Sequence, residues 1–286
     1  MKISFPQNLF TSPPKDRVMR GKKIASNSKI LFCGIARNVE QTLQKNIDRL
    51  NYIGLYFDEY DIFIYENDSN DDTKNIIQSS KISYICDNRE DANYKDKINS
   101  GEDHNQYNRC KVLSSCRNKY LDYARKHSIN FDYICILDWD IRGWSYKGFF
   151  DSMCRLSYNK IGSISAYGIL SDFTNTSTIE YNKDNWLMYD SFAFRPLSCF
   201  QPLLPELQAS FNYYKVSQPT CVRSNFGGMA LYNRSILDLD YDTTTKSGYV
   251  DCDHVVINDK LSKLGYTHIL NPYFVVSYSR HRFDNG

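Results

Sequence analysis

Two aspartates with one residue between them, Asp138 and Asp140, follow directly on the apolar run at residues 133–137 of a 286-residue chain. Paired carboxylates of this kind offer hard oxygen ligands. A cation of the Mg²⁺ or Mn²⁺ type takes one or two of them and keeps positions open for phosphate oxygens. The chemistry such a cation serves is the stabilisation of negative charge that develops on a departing phosphate. Spacing alone does not single out the pair, because the same separation recurs at 238/240, 240/242 and 251/253. The apolar run does, since it places Asp138 and Asp140 at the end of a buried strand; a turn carrying two solvated aspartates is the alternative. Ahead of that strand, Arg117 offers a planar, multi-donor contact for a phosphate, or else an exposed helix charge, and Asn118 beside it is suited to orient the site. Asp253 opens a helical pattern and is a candidate general base, a group that positions an attacking hydroxyl, or an ordinary helix cap. Gly227 and Gly228 allow a backbone to approach a ligand closely. His281, between Arg280 and Arg282, is a candidate to complete a metal shell or a diphosphate site, with a solvated tail as the alternative.

Positioning these groups falls to strands that alternate with helices. The pattern predicts a strand at 29–35 and a helix from Val39 to Leu50, then a strand at 61–65 and a helix at 74–79. A strand at 82–86, a long helix from about Arg109 to Lys126 and a strand at 133–137 follow. Such alternation argues for right-handed βαβ units and a mostly parallel sheet, whose ligands collect beyond the carboxyl ends of the strands. Asn38, Glu66, Asp68, Asp87, Asp138 and Asp140 all lie at those ends. Farther on, the spacing predicts a helix near 147–156 and strands near 161–166 and 227–232. A helix from Asp253 to about Leu264 and a last strand at 273–278 complete the pattern.

The bulk composition sets limits. Lys and Arg number 35 against 33 Asp and Glu, so the small positive net charge gives no general reason to expect nucleic acid as a partner. A 42% apolar content fills a sizeable core. Nine cysteines without a C-x-x-C pair read as buried thiols in a reducing compartment. No stretch has the length of a membrane span and no signal peptide is evident, so a soluble, cytoplasmic protein is expected. The polar opening carries a basic cluster from Lys15 to Lys23. It reads as a solvated extension, with peripheral contact to an anionic membrane as the alternative.

The segments "IYENDSNDDT" at 64–73, "RNKYLDYA" at 117–124 and "FDYICILDWD" at 131–140 resemble the GT-A fold of nucleotide-diphospho-sugar transferases. With "YDSFAFRP" at 189–196, "FGGMALYNRSIL" at 226–237 and "CDHVVINDKLSKLG" at 252–265, their order is similar to that of the fungal capsular mannosyltransferase family. The resemblance covers roughly residues 29–280. It implies an α/β, Rossmann-like mixed sheet flanked by helices, with residues 1–28 as an extension and 29–286 as one domain. Within that domain, 29–145 would bind the nucleotide sugar and 146–286 the acceptor. It further implies that Ala36, Arg37, Asn38, Glu66 and Asp87 line the base and ribose pocket, and that Asp138 and Asp140 bind metal and diphosphate. Trp139, between the two aspartates and taken with them as a donor-pocket residue, stands where some relatives carry a small residue, and Cys252-Asp253-His254 where relatives often carry Cys-Glu-His. The activity implied is metal-dependent transfer of a sugar from a GDP- or UDP-sugar to a glycan or glycoconjugate hydroxyl. A sugar nucleotidyltransferase and a non-catalytic carbohydrate-binding protein are the competing functions. The first usually begins with a glycine-rich basic loop, and the second needs no Asp138, Asp140 and Arg117 together.

Overall fold

A computed structural model describes residues 12–89, 104–171, 187–199, 210–212, 214–244, 248 and 250–279. Its organising element is one mixed sheet. Four parallel strands form its first half, β1 (Lys29–Ala36), β2 (Glu59–Asn67), β3 (Ser83–Asp87) and β4 (Tyr133–Leu137), in the order β3-β2-β1-β4. β9 (Met229–Asn233) then runs antiparallel to β4, with Leu137 opposite Met229. β6 (Ile161–Ser171) lies beside β9, and β10 (Thr267–Ser279) pairs parallel with β6. Three short strands complete the sheet: β5 (Gly143–Trp144), β7 (Leu187–Met188) and β8 (Thr220–Val222).

Period-two alternation in the first strands builds two cores, one on each face of the sheet. Ile30 and Phe32, Ile62 and Ile64, and Cys135 and Leu137 enter one of them. Leu31 and Cys33, Phe63 and Tyr65, and Ile134 and Ile136 enter the other. Strands buried on both faces read as continuous apolar runs, which is why β1 and β4 are legible from sequence. Helix α2 (Glu40–Gly54) covers the first face with Leu43, Ile47, Leu50 and Ile53, a helical stripe. Helix α4 (His104–Lys126) covers the second with Cys116, Tyr120, Leu121 and Ala124. It is joined there by α6 (Asp253–Lys263) through Val255, Ile257 and Leu261. A short helix α3 (Thr73–Ser79) follows β2.

The basic cluster near the N-terminus is not a solvated extension. Lys15–Ala25 forms helix α1, which docks on α5 (Tyr146–Leu156). Val18, Gly21 and Ala25 face inward, and a Cβ on Gly21 would lie 1.8 Å from the Phe150 carbonyl oxygen. Arg17 Nε donates to Asp151 at 2.8 Å, and Lys22 Nζ sits 4.6 Å from the Tyr56 ring centroid and 5.5 Å from those of Tyr146 and Phe150. Two of the expected solvated cations are therefore engaged. Among the described residues no helix is long and apolar enough to cross a membrane.

Candidate active site

β4 carries its alternation past its own end. Trp139 continues the face of Cys135 and Leu137, and its ring is buried in that core at 1% exposure, while Asp138 and Asp140 are half-buried. Its indole nitrogen would lie 2.8 Å from a Cβ added to Gly34. The Trp139 side chain thus packs under the strand ends and lines no donor pocket. Helix α2 fixes the turn that follows: Thr42 Oγ1 donates to the Trp139 carbonyl at 2.7 Å, and Asn46 Nδ2 donates to the carbonyls of Trp139 and Ile141 at 2.9 and 2.8 Å.

Around Asp138 the structure gathers groups from four other elements. Tyr278, on β10, donates its hydroxyl to Asp138 Oδ2 at 2.9 Å. Tyr189 stacks on Tyr278, with centroids 3.4 Å apart. Asp190, in a left-handed conformation (φ 62°), has an Oδ2 that is sealed from solvent without a hydrogen-bond partner. Burial, then the charges of Asp138 and Asp253, push the Asp190 carboxyl up to about 8 against the opposing pull of Arg117 and Arg109. Burial and the neighbouring Asp138 charge also raise the Tyr278 and Tyr189 hydroxyls, so both remain donors. Neither Asp190 nor the tyrosine pair was singled out by role in the sequence. "YDSFAFRP" marked the stretch that carries Tyr189 and Asp190.

Arg117 is a buried counter-ion and not an exposed helix charge. Its Nε lies 3.0 Å from Asp253 Oδ2 and donates to His254 Nε2 at 3.3 Å. The single Nε hydrogen points at His254, so the contact with Asp253 is an ion pair without hydrogen-bond alignment, and Asp253 Oδ2 keeps an unused acceptor. Burial opposes the Arg117 charge, but Asp253, Tyr120, Tyr241 and Asp138 outweigh it and hold the guanidinium protonated. Burial, helped by Arg117, keeps His254 neutral; with Nε2 accepting, its proton resides on Nδ1. Cys252 occupies the N-cap of α6 and Asp253 is the first helical residue, so Asp253 does not serve as the cap. Asn118, expected to orient the site, instead clamps the Tyr241 backbone, accepting from its amide at 2.7 Å and donating to its carbonyl at 3.0 Å.

The glycine pair is required by the protein itself. A Cβ on Gly227 (φ 61°) would lie 2.2 Å from the Ala166 carbonyl oxygen, and one on Gly228 (φ 82°) 2.1 Å from the Tyr278 hydroxyl. This close approach is to protein, where a ligand had been expected. The competing D-x-D spacings resolve as well. Asp251 is paired with buried Arg195, and Asp253 with Arg117, while Asp240 and Asp242 lie at the surface.

At the ends of β1 and β2 the polar segment 66–73 is spent largely on joining two loops. The amides of Asn38, Val39 and Glu40 donate to Ser69 Oγ, Thr73 Oγ1 and Asp71 Oδ2. In return, the amides of Asn70 and Asp72 donate to Asn38 Oδ1 and Glu40 Oε2. Glu66 is fully buried, with Oε1 accepting from the Ser69 amide at 2.7 Å and Oε2 without a partner. Ala36 is buried, which leaves its backbone as the part able to meet a ligand. Asp87 accepts from the Tyr65 hydroxyl at 2.9 Å. Arg37 is half-buried. Asn38 (φ 53°) and Asp68 (φ 55°) hold left-handed backbones, conformations that Asn and Asp tolerate and that gather at ligand sites.

A cation fits these residues. Asp138 and Asp140 supply hard oxygens, and Asp190 Oδ2, buried without a hydrogen-bond partner, lies in the same neighbourhood as Asp138. Among the described residues no cluster of three or more His, Cys, Asp or Glu side chains is close enough to hold a metal. An ion held by Asp138 and Asp140 would keep positions for other oxygens, as Mg²⁺ and Mn²⁺ do. His281 lies outside the described residues. A polar cleft of about 620 Å³ runs between α4 and the segment after Tyr241, past Lys111, Ser115, Lys119 and Thr243. Asp122 and Asp242 line it, and Asp138, Asp140, Asp190 and Asp253 do not. Tyr241 lines it and also packs against Arg117 and His254.

This architecture is the GT-A fold of nucleotide-sugar glycosyltransferases. Mannosyltransferase PcManGT from Pyrobaculum calidifontis, solved in complex with GDP-Man and Mn²⁺, is 13% identical with a TM-score of 0.52. The alignment covers 94% of this chain and 64% of that one, so the chain spans less than two thirds of that enzyme. A mycobacterial protein is 13% identical over 93% of this chain and 72% of its own, with a TM-score of 0.51. Glucosyl-3-phosphoglycerate synthase from Mycobacterium tuberculosis is 12% identical over 95% and 79%, with a TM-score of 0.50. No protein-family model matches the chain, and no curated protein matches its sequence.

Proposed function

We propose that the protein is a metal-dependent glycosyltransferase that moves a hexose from a GDP- or UDP-sugar to a hydroxyl of a glycan or glycoconjugate. The observation that carries this reading is the gathering of Arg117, Asp190 and Asp253 around Asp138 at the carboxyl end of β4, two residues before Asp140 and where the strand order favours ligand binding. Asp138 and Asp140 hold the cation, and Mn²⁺ or Mg²⁺ there supplies the positive charge that a departing nucleoside diphosphate requires. Arg37, Asn38 and Asp87, with the backbone of Ala36, bind the nucleotide. Glu66 acts from beneath, bracing the loop that carries Ser69. Arg117 adds a buried positive charge between Asp138 and Asp253. Asp253, with its unused oxygen, takes or positions the acceptor hydroxyl, and the loop at Gly227 and Gly228 supports that side. His281 is a third candidate for the metal.

The likeness to the fungal capsular mannosyltransferases rests on the order of the six sequence segments, and mannose is the sugar it favours. Six buried thiols, Cys33, Cys110, Cys116, Cys135, Cys154 and Cys252, suit a reducing, cytoplasmic setting. The activity is tested by incubating the protein with a panel of nucleotide sugars and Mn²⁺ and measuring released GDP or UDP. Release from one donor that stops on chelation supports the reading; a folded protein that hydrolyses or transfers none of them contradicts it. A sugar nucleotidyltransferase would release neither GDP nor UDP from the panel, and would form pyrophosphate only from a nucleoside triphosphate and a sugar 1-phosphate.

A further inference from the structure

We propose that Tyr278 is the positioning residue that aims the Asp138 carboxylate at the cation; this rests on the reading of Asp138 as a metal ligand. Tyr278 reaches the site from the last strand, 140 residues away in sequence, and donates its hydroxyl to Oδ2 at 2.9 Å. The place it occupies is built from several elements. Its ring is 3% exposed and lies flat against Tyr189, with an interplanar angle of 16°. Gly228 leaves the space that the hydroxyl fills, since a Cβ there would stand 2.1 Å from it. The same glycine accepts the Asp138 amide on its carbonyl oxygen at 3.0 Å. One residue of β10 and one glycine before β9 thus hold the side chain and the backbone of the same aspartate.

The consequence is chemical. A carboxylate whose Oδ2 is engaged by a fixed hydroxyl has lost rotational freedom, so its direction relative to an incoming cation is set before the ion arrives. The ordering that metal binding would otherwise require is already made in the fold. Outer partners of metal ligands characteristically change metal affinity by about 10–100-fold when removed.

The test is Tyr278→Phe in the full chain, which keeps the ring and its stack on Tyr189 and deletes only the hydroxyl. Free Mn²⁺ is followed by electron paramagnetic resonance during titration of wild type and variant, each with GDP and with UDP, and melting is measured separately in chelator. The expected result is Mn²⁺ affinity lower by about 10–100-fold in the variant, with both proteins folded in chelator over the same temperature range. Equal Mn²⁺ affinity in the two proteins overturns the proposal, and so does a variant that is already unfolded in chelator, which would make the hydroxyl a support of the fold. A wild-type protein that binds Mn²⁺ with neither nucleotide overturns the metal reading of Asp138 itself, and the role of Tyr278 falls with it.

Discussion

Asp253 is 2% exposed, one of its oxygens faces Arg117 without a hydrogen bond, and Cys252 holds the N-cap position of the helix it begins. A buried acceptor left open in this way marks a place for a donor that arrives with a ligand, and an acceptor hydroxyl is such a donor. The helix start favours the ionised carboxylate, which suits a group that orients the hydroxyl or takes its proton late. Asp253→Asn is expected to leave nucleotide binding within about twofold and to lower sugar transfer by about two orders of magnitude or more. Comparison of calorimetric nucleotide affinity with product formation checks this, and parallel loss of both would show that the pair with Arg117 is needed for folding. At this scale the sequence was partly legible. Asp138, Asp140, Arg117 and Asp253 were all marked by type and neighbourhood. Tyr278 and Asp190 were not, because they reach Asp138 from 140 and 52 residues away and no local pattern reports such a meeting. Trp139 was legible in principle: the alternation of Cys135, Leu137 and Trp139 points it into the core, and reading it as a pocket residue overlooked that period.

The strand-end turn of β4 is held by a helix on the far side of the sheet from Arg117. Asn46 of α2 is fully buried, and its single amide nitrogen serves the carbonyls of Trp139 and Ile141. Removing that amide leaves two buried carbonyl groups without this donor. Asn46→Ala is expected to cost about 2 kcal/mol of stability and to weaken Mn²⁺ binding, although Asn46 touches neither carboxylate. Urea unfolding with and without Mn²⁺ checks this, and unchanged stability would show that Thr42 alone suffices for the turn. Among the elements, the strands with continuous apolar runs were legible, and so were α2 and α6. The longer extents of β6, β10 and α4 were not. β6 and β10 gain length from pairing with each other, and the first turns of α4 are polar residues without a periodic stripe. Helix α1 was hidden because its inward residues, Val18, Gly21 and Ala25, are small and sit among cations that compositional reading assigns to solvent.

Buried polar joints tie the second half of the molecule together. One of them, His268 on β10, meets Ser163 on β6 at 2.7 Å and the Asn258 carbonyl on α6 at 2.8 Å. Burial lowers its imidazole to about 4, against the Asn258 carbonyl and the charge of Asp259. A base depressed in the fold adds its full share of stability above its unfolded value near 6.5. That share is lost as the pH falls toward 4, because the unfolded chain takes the proton first. The loss is on the order of 3 kcal/mol. Chemical unfolding of the wild type should weaken over that window, and His268→Gln should flatten the profile; identical slopes would place the acid sensitivity elsewhere. The same strand reaches the site in the first half, since Tyr278 lies ten residues farther along β10 and meets Asp138 at the end of β4. Whether that meeting point is a metal-dependent transfer site is the central claim. The most direct measurement is Mn²⁺-dependent release of GDP or UDP from the nucleotide-sugar panel by wild type and by Asp138→Ala. The account predicts release by the wild type that stops in chelator, and a loss of about 100-fold or more in the folded variant. Equal release by the two proteins, or full release by either in chelator, would contradict it.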